Sequence, residues 1–440
     1  MGGTSTSNTV HELQRTVGQW DLGLDTTAQT EPPTDGGQDA WLVLTSSFIL
    51  GAIVWGFPYS FGIFQEYYLR QEKFSGSHSG VAAIGTTAMG IIYLTAPALY
   101  VIIHRYYTYR KMISLGGFVI MLMSLLGASF AKTVSQLLVN QGLFYALGGA
   151  MLYFPVFNYV DEWFIKRRGL AYGALIAGDG AGGVVIPFVM EWILNRWGFQ
   201  TALRTWAIVC LLLVTPALVF LKDYPVNQNF EHTPRKVDLR FLKTKAFWIL
   251  QTGNMLQSLG YLMPSYYLPS FAVSRGWSPF TGTIAVSLCN AAIVFGTVTI
   301  GWLCDRHHVT VTLMICTIGT LLAVFVFWGF SVYQPVMYTF AIAYGFFAGG
   351  FPATWAGCSH PVRRTYPVET GMIIALFTAG KGVSSVVSGP LGGLLASSDA
   401  WKGHVGYAYG SGFGYLIVFS GVTASFGSLG WIGRKFGWIL

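Results

Sequence analysis

Twelve apolar runs of about twenty residues follow one another from Trp41 to the end of the chain. Each is long enough to cross ~30 Å of hydrocarbon. They lie at approximately 41–69, 78–103, 113–131, 135–160, 170–194, 201–221, 246–274, 280–304, 310–330, 334–358, 370–396 and 408–432. Hydrocarbon offers no partner to a backbone N–H or C=O, so runs of this length predict helices. Composition agrees: 53% of residues are hydrophobic and only 10% charged, where a soluble domain carries about a quarter charged. The expected fold is an all-α membrane protein, and its surroundings are the lipid bilayer.

Charge sets the expected orientation. With the amino terminus inside, cytoplasmic loops and tails hold 18 Lys and Arg, against seven in external loops and outer helix ends, with Lys381 inside a helix. That bias puts both termini in the cytoplasm. Residues 1–40 hold one basic residue, Arg15, against six acidic ones, and read as a disordered cytoplasmic tail. The segment 222–245 carries six basic residues and reads as a cytoplasmic linker. The predicted organisation is a six-helix half at 41–221 and a second at 246–440, ending in a short cytoplasmic tail.

The two halves repeat. Ala177-Gly178-Asp179-Gly180, followed by Val184-Val185 and Pro187, matches Ala379-Gly380-Lys381-Gly382, followed by Val386-Val387 and Pro390. Ile103-His104-Arg105 matches Cys304-Asp305-Arg306 at almost the same offset. Such internal duplication is the mark of carriers built from two pseudo-symmetric bundles.

Several longer motifs carry a resemblance. Asp35-Gly36-Gly37 with Ala40-Trp41 enters the first run, and Phe61-Gly62-Ile63-Phe64-Gln65-Glu66-Tyr67-Tyr68 ends it. Trp163-Phe164, Lys166-Arg167-Arg168-Gly169-Leu170-Ala171, Gly173 and Ala177-Gly178 mark the junction of the fourth and fifth runs. Leu259-Gly260-Tyr261, Pro264 and Leu268-Pro269 lie in the seventh, and Gly301 with Asp305-Arg306 ends the eighth. With these residues the chain resembles the major facilitator superfamily and, within it, the fungal proteins similar to monocarboxylate porters. The resemblance implies the major facilitator fold and secondary active transport by alternating access. The carboxylate carriers of that family use an Arg in the eighth helix as counter-ion to the substrate. Here the corresponding stretch, Asn290 to Thr297, has Thr297 in its place. That departure opens export of a fungal secondary metabolite as the alternative to carriage of an organic anion such as a monocarboxylate.

A charge at membrane depth costs about 2.5–3.5 kcal/mol on insertion scales and is a functional candidate for that reason. Asp179 lies about 13 Å and Lys381 about 16 Å into their helices at 1.5 Å per residue. Opposite signs at equivalent repeat positions leave two readings: an ion pair across the cavity, or a bipolar site for a zwitterionic or anionic substrate. Desolvation of Asp179 would favour proton carriage, and pairing with Lys381 would oppose it. Gln251, Asn254 and Gln257 fall loosely on one helix face, and Asn158 and Asn290 are similarly deep. Substrate contact and interhelical hydrogen bonding are both open to these amides. Tyr261, Tyr266, Tyr267 and Trp355 read as interfacial aromatics. Lys166, Arg167, Arg168, Asp305 and Arg306 resemble the superfamily's cytoplasmic gate, and the basic ones equally satisfy the orientation rule.

Other classes fit poorly. All eight histidines map to tails, loops or helix ends, and no nucleophile–base pair is apparent, which argues against an enzyme. Gly380-Lys381 lacks the flanking residues of a phosphate-binding loop. The five cysteines show no metal or redox spacing, and no cofactor is expected. A net charge of +8 without a dense basic and aromatic patch does not suggest nucleic acid. A membrane nutrient sensor of the same fold remains the weaker alternative. The expectation is a monomeric carrier of a small organic molecule, with proton coupling as one mode, placed in the plasma membrane.

Overall fold

The twelve runs become helices with ends close to those expected. In a computed structural model, residues 35–165, 167–224, 239–366, 370–398 and 401–439 are described. The helices are α1 (Gln38–Arg70), α2 (His78–Arg105), α3 (Tyr107–Ser129) and α4 (Val134–Trp163). One continuous stretch, Arg168–Phe220, holds both α5 and α6, because Gly198 breaks it at φ 82° and ψ 174°. That left-handed φ is open to glycine at little cost, so the chain reverses there without a loop. The rest are α7 (Lys245–Ser274), α8 (Pro279–Arg306), α9 (Val309–Trp328), α10 (Gln334–Thr365), α11 (Thr370–Ala396) and α12 (Gly414–Lys435). No strand occurs among the described residues.

Ten stretches are long and apolar enough to cross a membrane, the α5–α6 stretch counting once. Helix α7 is not among them, because Gln251, Asn254 and Gln257 dilute its hydropathy. All three are nonetheless buried, so α7 is an inner helix whose polar groups face protein. Helix α12 starts later than the expected 408. Gly403 and Gly412 have left-handed φ of 76° and 91°, and residues 401–413 form turns around a single 3-10 turn at Tyr409–Ser411 instead of α-helix. Helix α3 begins earlier than expected and draws Arg110 into the packed core, where it is 3% exposed. The acidic tail up to residue 34 and the basic linker over 225–238 lie outside the described residues.

The described chain ends at Asp35 and Ile439 and the helix ends at Arg105, Trp163, Arg306 and Thr365 share one face, called here the terminal face. Asp35 and Asp39 meet that face's other segments directly. The Arg167 backbone N–H donates to Asp35 Oδ1 at 2.6 Å, and Lys222 pairs with Asp39 at 2.8 Å.

Glycine lets helices touch where the repeat is clearest. Side chains at Gly178 and Gly182 of α5 would strike the backbone of Phe48 and Ala52 of α1. At the equivalent place in the second half, Gly380 of α11 lies against the Gln251 side chain of α7. The halves meet along α2 and α11, with Gly393 at Ser79, Gly389 at Ala83 and Thr86, Gly382 at Gly90, and Gly371 at Tyr100. Near the face opposite the termini, Gly62 of α1 abuts the backbone of Ser265 and Tyr266 of α7, and the Phe61 and Tyr266 rings lie 5.6 Å apart. Helices α5 and α8 meet there too, through Phe188 and Phe280 at 5.8 Å. Deeper, Asn290 Nδ2 donates to Gly183 O at 2.7 Å and Ser287 Oγ to Val184 O at 3.0 Å. Toward the terminal face, Gly173 of α5 has no neighbour within reach of an added Cβ.

Candidate functional site

Lys381 is the deepest cation described, 2% exposed in the middle of α11. Its ammonium is held by rings from three helices: Tyr261 of α7 at 3.7 Å, Tyr93 of α2 at 5.1 Å and Trp355 of α10 at 5.9 Å from the ring centroids. Among the described residues it makes no ion pair and no hydrogen bond. A cation over an aromatic face gains about 0.5–1 kcal/mol when exposed and about 2 when desolvated. Three rings can therefore offset most of the insertion cost of the charge without neutralising it. The positive charge remains available to an anion.

Asp179 sits in the first half and faces inward to that half. Its Oδ2 accepts from the Tyr153 hydroxyl of α4 at 2.8 Å, and its Oδ1 is buried without a partner. The carboxylate fits against Gly51 of α1, where a methyl group would collide with Oδ1. No ion pair joins Asp179 to Lys381 among the described residues. Of the two readings of their opposite signs, direct pairing is not what this conformation adopts.

Aromatic rings fill the ground between the two charges. Trp55 of α1 lies edge-on to Tyr153 with centroids 5.6 Å apart and tilts against Tyr93 at 5.0 Å, while Tyr59 stacks on it at 6.1 Å. The path from acid to base thus runs Asp179, Tyr153, Trp55, Tyr93, Lys381. The Trp55 indole Nε1 is buried and faces the Tyr153 hydroxyl. Sequence reading missed Trp55, Tyr59, Tyr93 and Tyr153 and placed Tyr261 and Trp355 at the membrane interface. The one usable signal was the depth of these residues within their runs.

The expected amides divide. Asn254 is spent on packing: Nδ2 donates to Phe377 O of α11 at 2.8 Å, and Oδ1 accepts from Trp355 Nε1 at 3.1 Å. It thereby sets the orientation of one ring of the Lys381 cage. Gln251 donates to Leu376 O at 3.0 Å, and Asn290 ties α8 to α5. Gln257 is 5% exposed and accepts only a long bond from Ser258 Oγ at 3.4 Å. Asn158 is half-buried on α4 beside Phe157, with no side-chain hydrogen bond among the described residues.

Among the described residues, the expected gate residues Arg167, Asp305 and Arg306 form no ion pair with one another. Asp305 is exposed and without an ion pair, and Arg306 stacks on Trp302 at 4.4 Å. Arg167 is exposed, and Lys166 and the Arg168 side chain lie outside the described residues. A different residue organises the terminal face of the first half. Arg110 forms a two-pronged pair with Glu162 at the end of α4, one contact measuring 2.8 Å, and also reaches Asp223 beyond α6. Its guanidinium stacks between Tyr107 at 4.2 Å and Tyr159 at 4.1 Å. Basic residues at such junctions satisfy the orientation rule, which hid this one among the loop charges.

The model of the Major Facilitator Superfamily matches residues 40–360. A protein from Gibberella fujikuroi described as a fujikurins efflux protein is 29% identical over 411 residues, 91% of this chain and 83% of that protein. An aspyridones efflux protein from Emericella nidulans is 25% identical over 415 residues, 92% of this chain and 80% of that protein. Among solved structures, the nucleoside transporter NupG superposes with a TM-score of 0.67 at 16% identity, covering 91% of this chain and 100% of that one. A bacterial homologue of the lysosomal transporter Spinster, inward-facing and unoccupied, gives 0.63 at 14% identity over 91% and 98%. These last two establish fold alone. With a family match across most of its helices and a buried, unneutralised cation where its two bundles face each other, the chain belongs to the Major Facilitator Superfamily and is a membrane transporter, not an enzyme.

Proposed function

We propose that the protein exports an acidic, amphipathic organic product across the plasma membrane in exchange for protons. One observation carries this reading: Lys381 is buried between the bundles with its charge held by rings and left unneutralised. An anion entering the cavity would supply the missing counter-charge in low dielectric, where the attraction is strong. The efflux descriptions of the fungal relatives support export over import. The substrate position of a simple monocarboxylate porter is poorly served here, because the Thr297 hydroxyl donates to Ile293 O one turn back in α8, at 2.7 Å, and brings no charge.

The working parts are the halves at 41–221 and 246–440, rocking about the linker 222–245 with both termini cytoplasmic. The terminal face would then be the cytoplasmic mouth and the α1–α7 seam at Gly62 the external closure. Asn158, half-buried between that mouth and Tyr153, and Gln257, with spare donors, are placed as secondary substrate contacts. Asn254 and Asn290 act through the rings and helices they position. Asp179 is assigned as the proton carrier: its only described partner is neutral, and one of its oxygens is free. Lys166, Arg167, Arg168, Asp305 and Arg306 are assigned to the cytoplasmic gate of the opposite conformation, in which the α5 and α8 ends would approach.

The test is untargeted mass spectrometry of cell extract and spent medium from the source strain and from a strain lacking the gene. Export requires that a product build up inside and fall outside in the deletion strain. An organic acid left unconsumed in the medium would instead make the protein an importer.

A further inference from the structure

We infer that Asn290 of α8 is a latch: it holds a carbonyl that Pro187 frees in α5, and so keeps the α5–α8 flank shut at the face opposite the termini. The inference rests on the two halves rocking against each other, as proposed above, and adds which flank parts and what holds it.

The chemistry begins with proline. Pro187 has no backbone N–H, so the Gly183 carbonyl four residues earlier loses its usual helical partner. A bare carbonyl at membrane depth is costly, and neighbouring helices commonly satisfy it. Here the neighbour belongs to the other half. Asn290 Nδ2 donates to Gly183 O at 2.7 Å, and one turn away Ser287 Oγ donates to Val184 O at 3.0 Å. Asn290 is 2% exposed. Gly183 admits it, because a Cβ there would lie 2.9 Å from the amide carbon. Ser287, Asn290 and Val294 follow at i, i+3 and i+7 and share one face of α8, with Val294 seated against Gly180.

The two flanks are built differently. Along α2–α11 the close contacts run from Gly393 at Ser79 to Gly371 at Tyr100, almost the whole length of α2. Pro390 frees the Val386 carbonyl of α11 in the same way, yet the α2 residue beside that turn is Gly90, which has no side chain to donate. Along α5–α8 the contacts run from Phe188–Phe280 to Gly180–Val294 and stop, with Gly173 open beyond them. That space lets α5 and α8 approach at the terminal face, and a rock that closes them there parts them at the far face. The α2–α11 flank, shut at both ends, has no such room. Parting by about 1 Å takes the Asn290 bond out of hydrogen-bond range. The Gly183 carbonyl then gives up Asn290, and water entering the cleft takes its place.

Deuterium exchange of the full-length protein in lipid nanodiscs, followed by mass spectrometry, reads the flanks separately. Segments 184–197 of α5 and 279–289 of α8 are set against 78–89 of α2 and 386–397 of α11. The wild type, Asn290→Ala, Pro187→Ala and the double variant are compared. Asn290→Ala should speed exchange in the α5 and α8 segments about tenfold, which is about 1.4 kcal/mol in the opening equilibrium. The α2 and α11 segments should stay within about twofold of the wild type. Pro187→Ala returns an N–H to Gly183 O and separates a latch from plain packing. With Asn290 present it should speed exchange, because the parted flank no longer leaves the carbonyl bare. In the Asn290→Ala background it should slow exchange, because the shut flank no longer buries a bare carbonyl. A Pro187→Ala effect of the same sign and size in both backgrounds would overturn the link between the two residues. Faster exchange spread over α1 and α6 in Asn290→Ala would make Asn290 a general packing residue and overturn the latch. A rise on both flanks alike would overturn the choice of flank. Far ends of α5 and α8 that exchange in the wild type and no faster in Asn290→Ala would overturn the latch alone. Far ends protected in every protein, wild type included, would mean that the halves do not rock, and the alternating-access reading would fall with the inference.

Discussion

Lys381 and Tyr261 hold each other across the α7–α11 seam, ammonium over ring face at 3.7 Å. They stand far apart in the second bundle's sequence, on its first and fifth helices, and the contact gives the buried charge its closest support. It follows that the ring face matters more than the hydroxyl. Tyr261→Phe should retain export within about threefold, because the face remains. Tyr261→Leu should lower it about tenfold or more, since a desolvated cation–π contact of about 2 kcal/mol is lost. Initial export rates at matched surface expression check this. Equal loss in both variants would place the hydroxyl, not the ring, in the role.

Lys381→Met should remove export of the acidic product while leaving the protein folded, because an apolar side chain of similar length is cheap at that depth. On insertion scales the change should favour the folded helix by a few kcal/mol. The readout pairs product export with thermal unfolding in detergent. A variant that is more stable and inactive marks Lys381 as functional. One that is less stable would mark it as structural.

Asp179 bears the coupling prediction. Asp179→Asn keeps shape and can still meet the Tyr153 hydroxyl, but it cannot take up or release a proton. In proteoliposomes it should abolish uptake driven by a pH gradient and retain exchange of labelled for unlabelled product. Equal loss of both modes would assign Asp179 to substrate binding instead of coupling. Gly51→Ala offers a parallel check, since its methyl group would press on Oδ1 and should impair both modes through packing.

Much of this was open to sequence reading. Hydrocarbon thickness dictates helix length, so the twelve runs could be placed to within a few residues. A charge inside an apolar run is rare enough to be noticed, which brought out Asp179 and Lys381, and the glycines beside them revealed the repeat. What surrounds them was hidden. The Lys381 cage is assembled from α2, α7 and α10, whose residues Tyr93, Tyr261 and Trp355 carry no local pattern that distinguishes a cage from an interfacial belt. Amides posed the same difficulty: Asn254 and Gln257 share a stripe on α7, yet one is consumed by Phe377 and Trp355 while the other keeps spare donors. The α1–α5 seam was likewise hidden, because Gly178 stands out only as part of the repeat and Gly182 carries no local mark of a helix contact.

Arg110 gives the stability prediction. Its pair with Glu162 joins side chains 4% and 16% exposed, whereas Asp223 is 70% exposed and its share is screened by solvent. Breaking a buried pair by removing one partner costs about 3–5 kcal/mol, because the other charge is left without compensation. Arg110→Ala should therefore destabilise far more than Asp223→Ala, which should lie within about 1 kcal/mol of the wild type. Arg110→Lys should fall between them, since an ammonium cannot reproduce both prongs and stacks less well between Tyr107 and Tyr159. The ordering can be read from thermal unfolding of the four proteins in one detergent. If Asp223→Ala proved as damaging as Arg110→Ala, the outer carboxylate would be the true anchor of the α3–α4–α6 junction, and Glu162 its accessory.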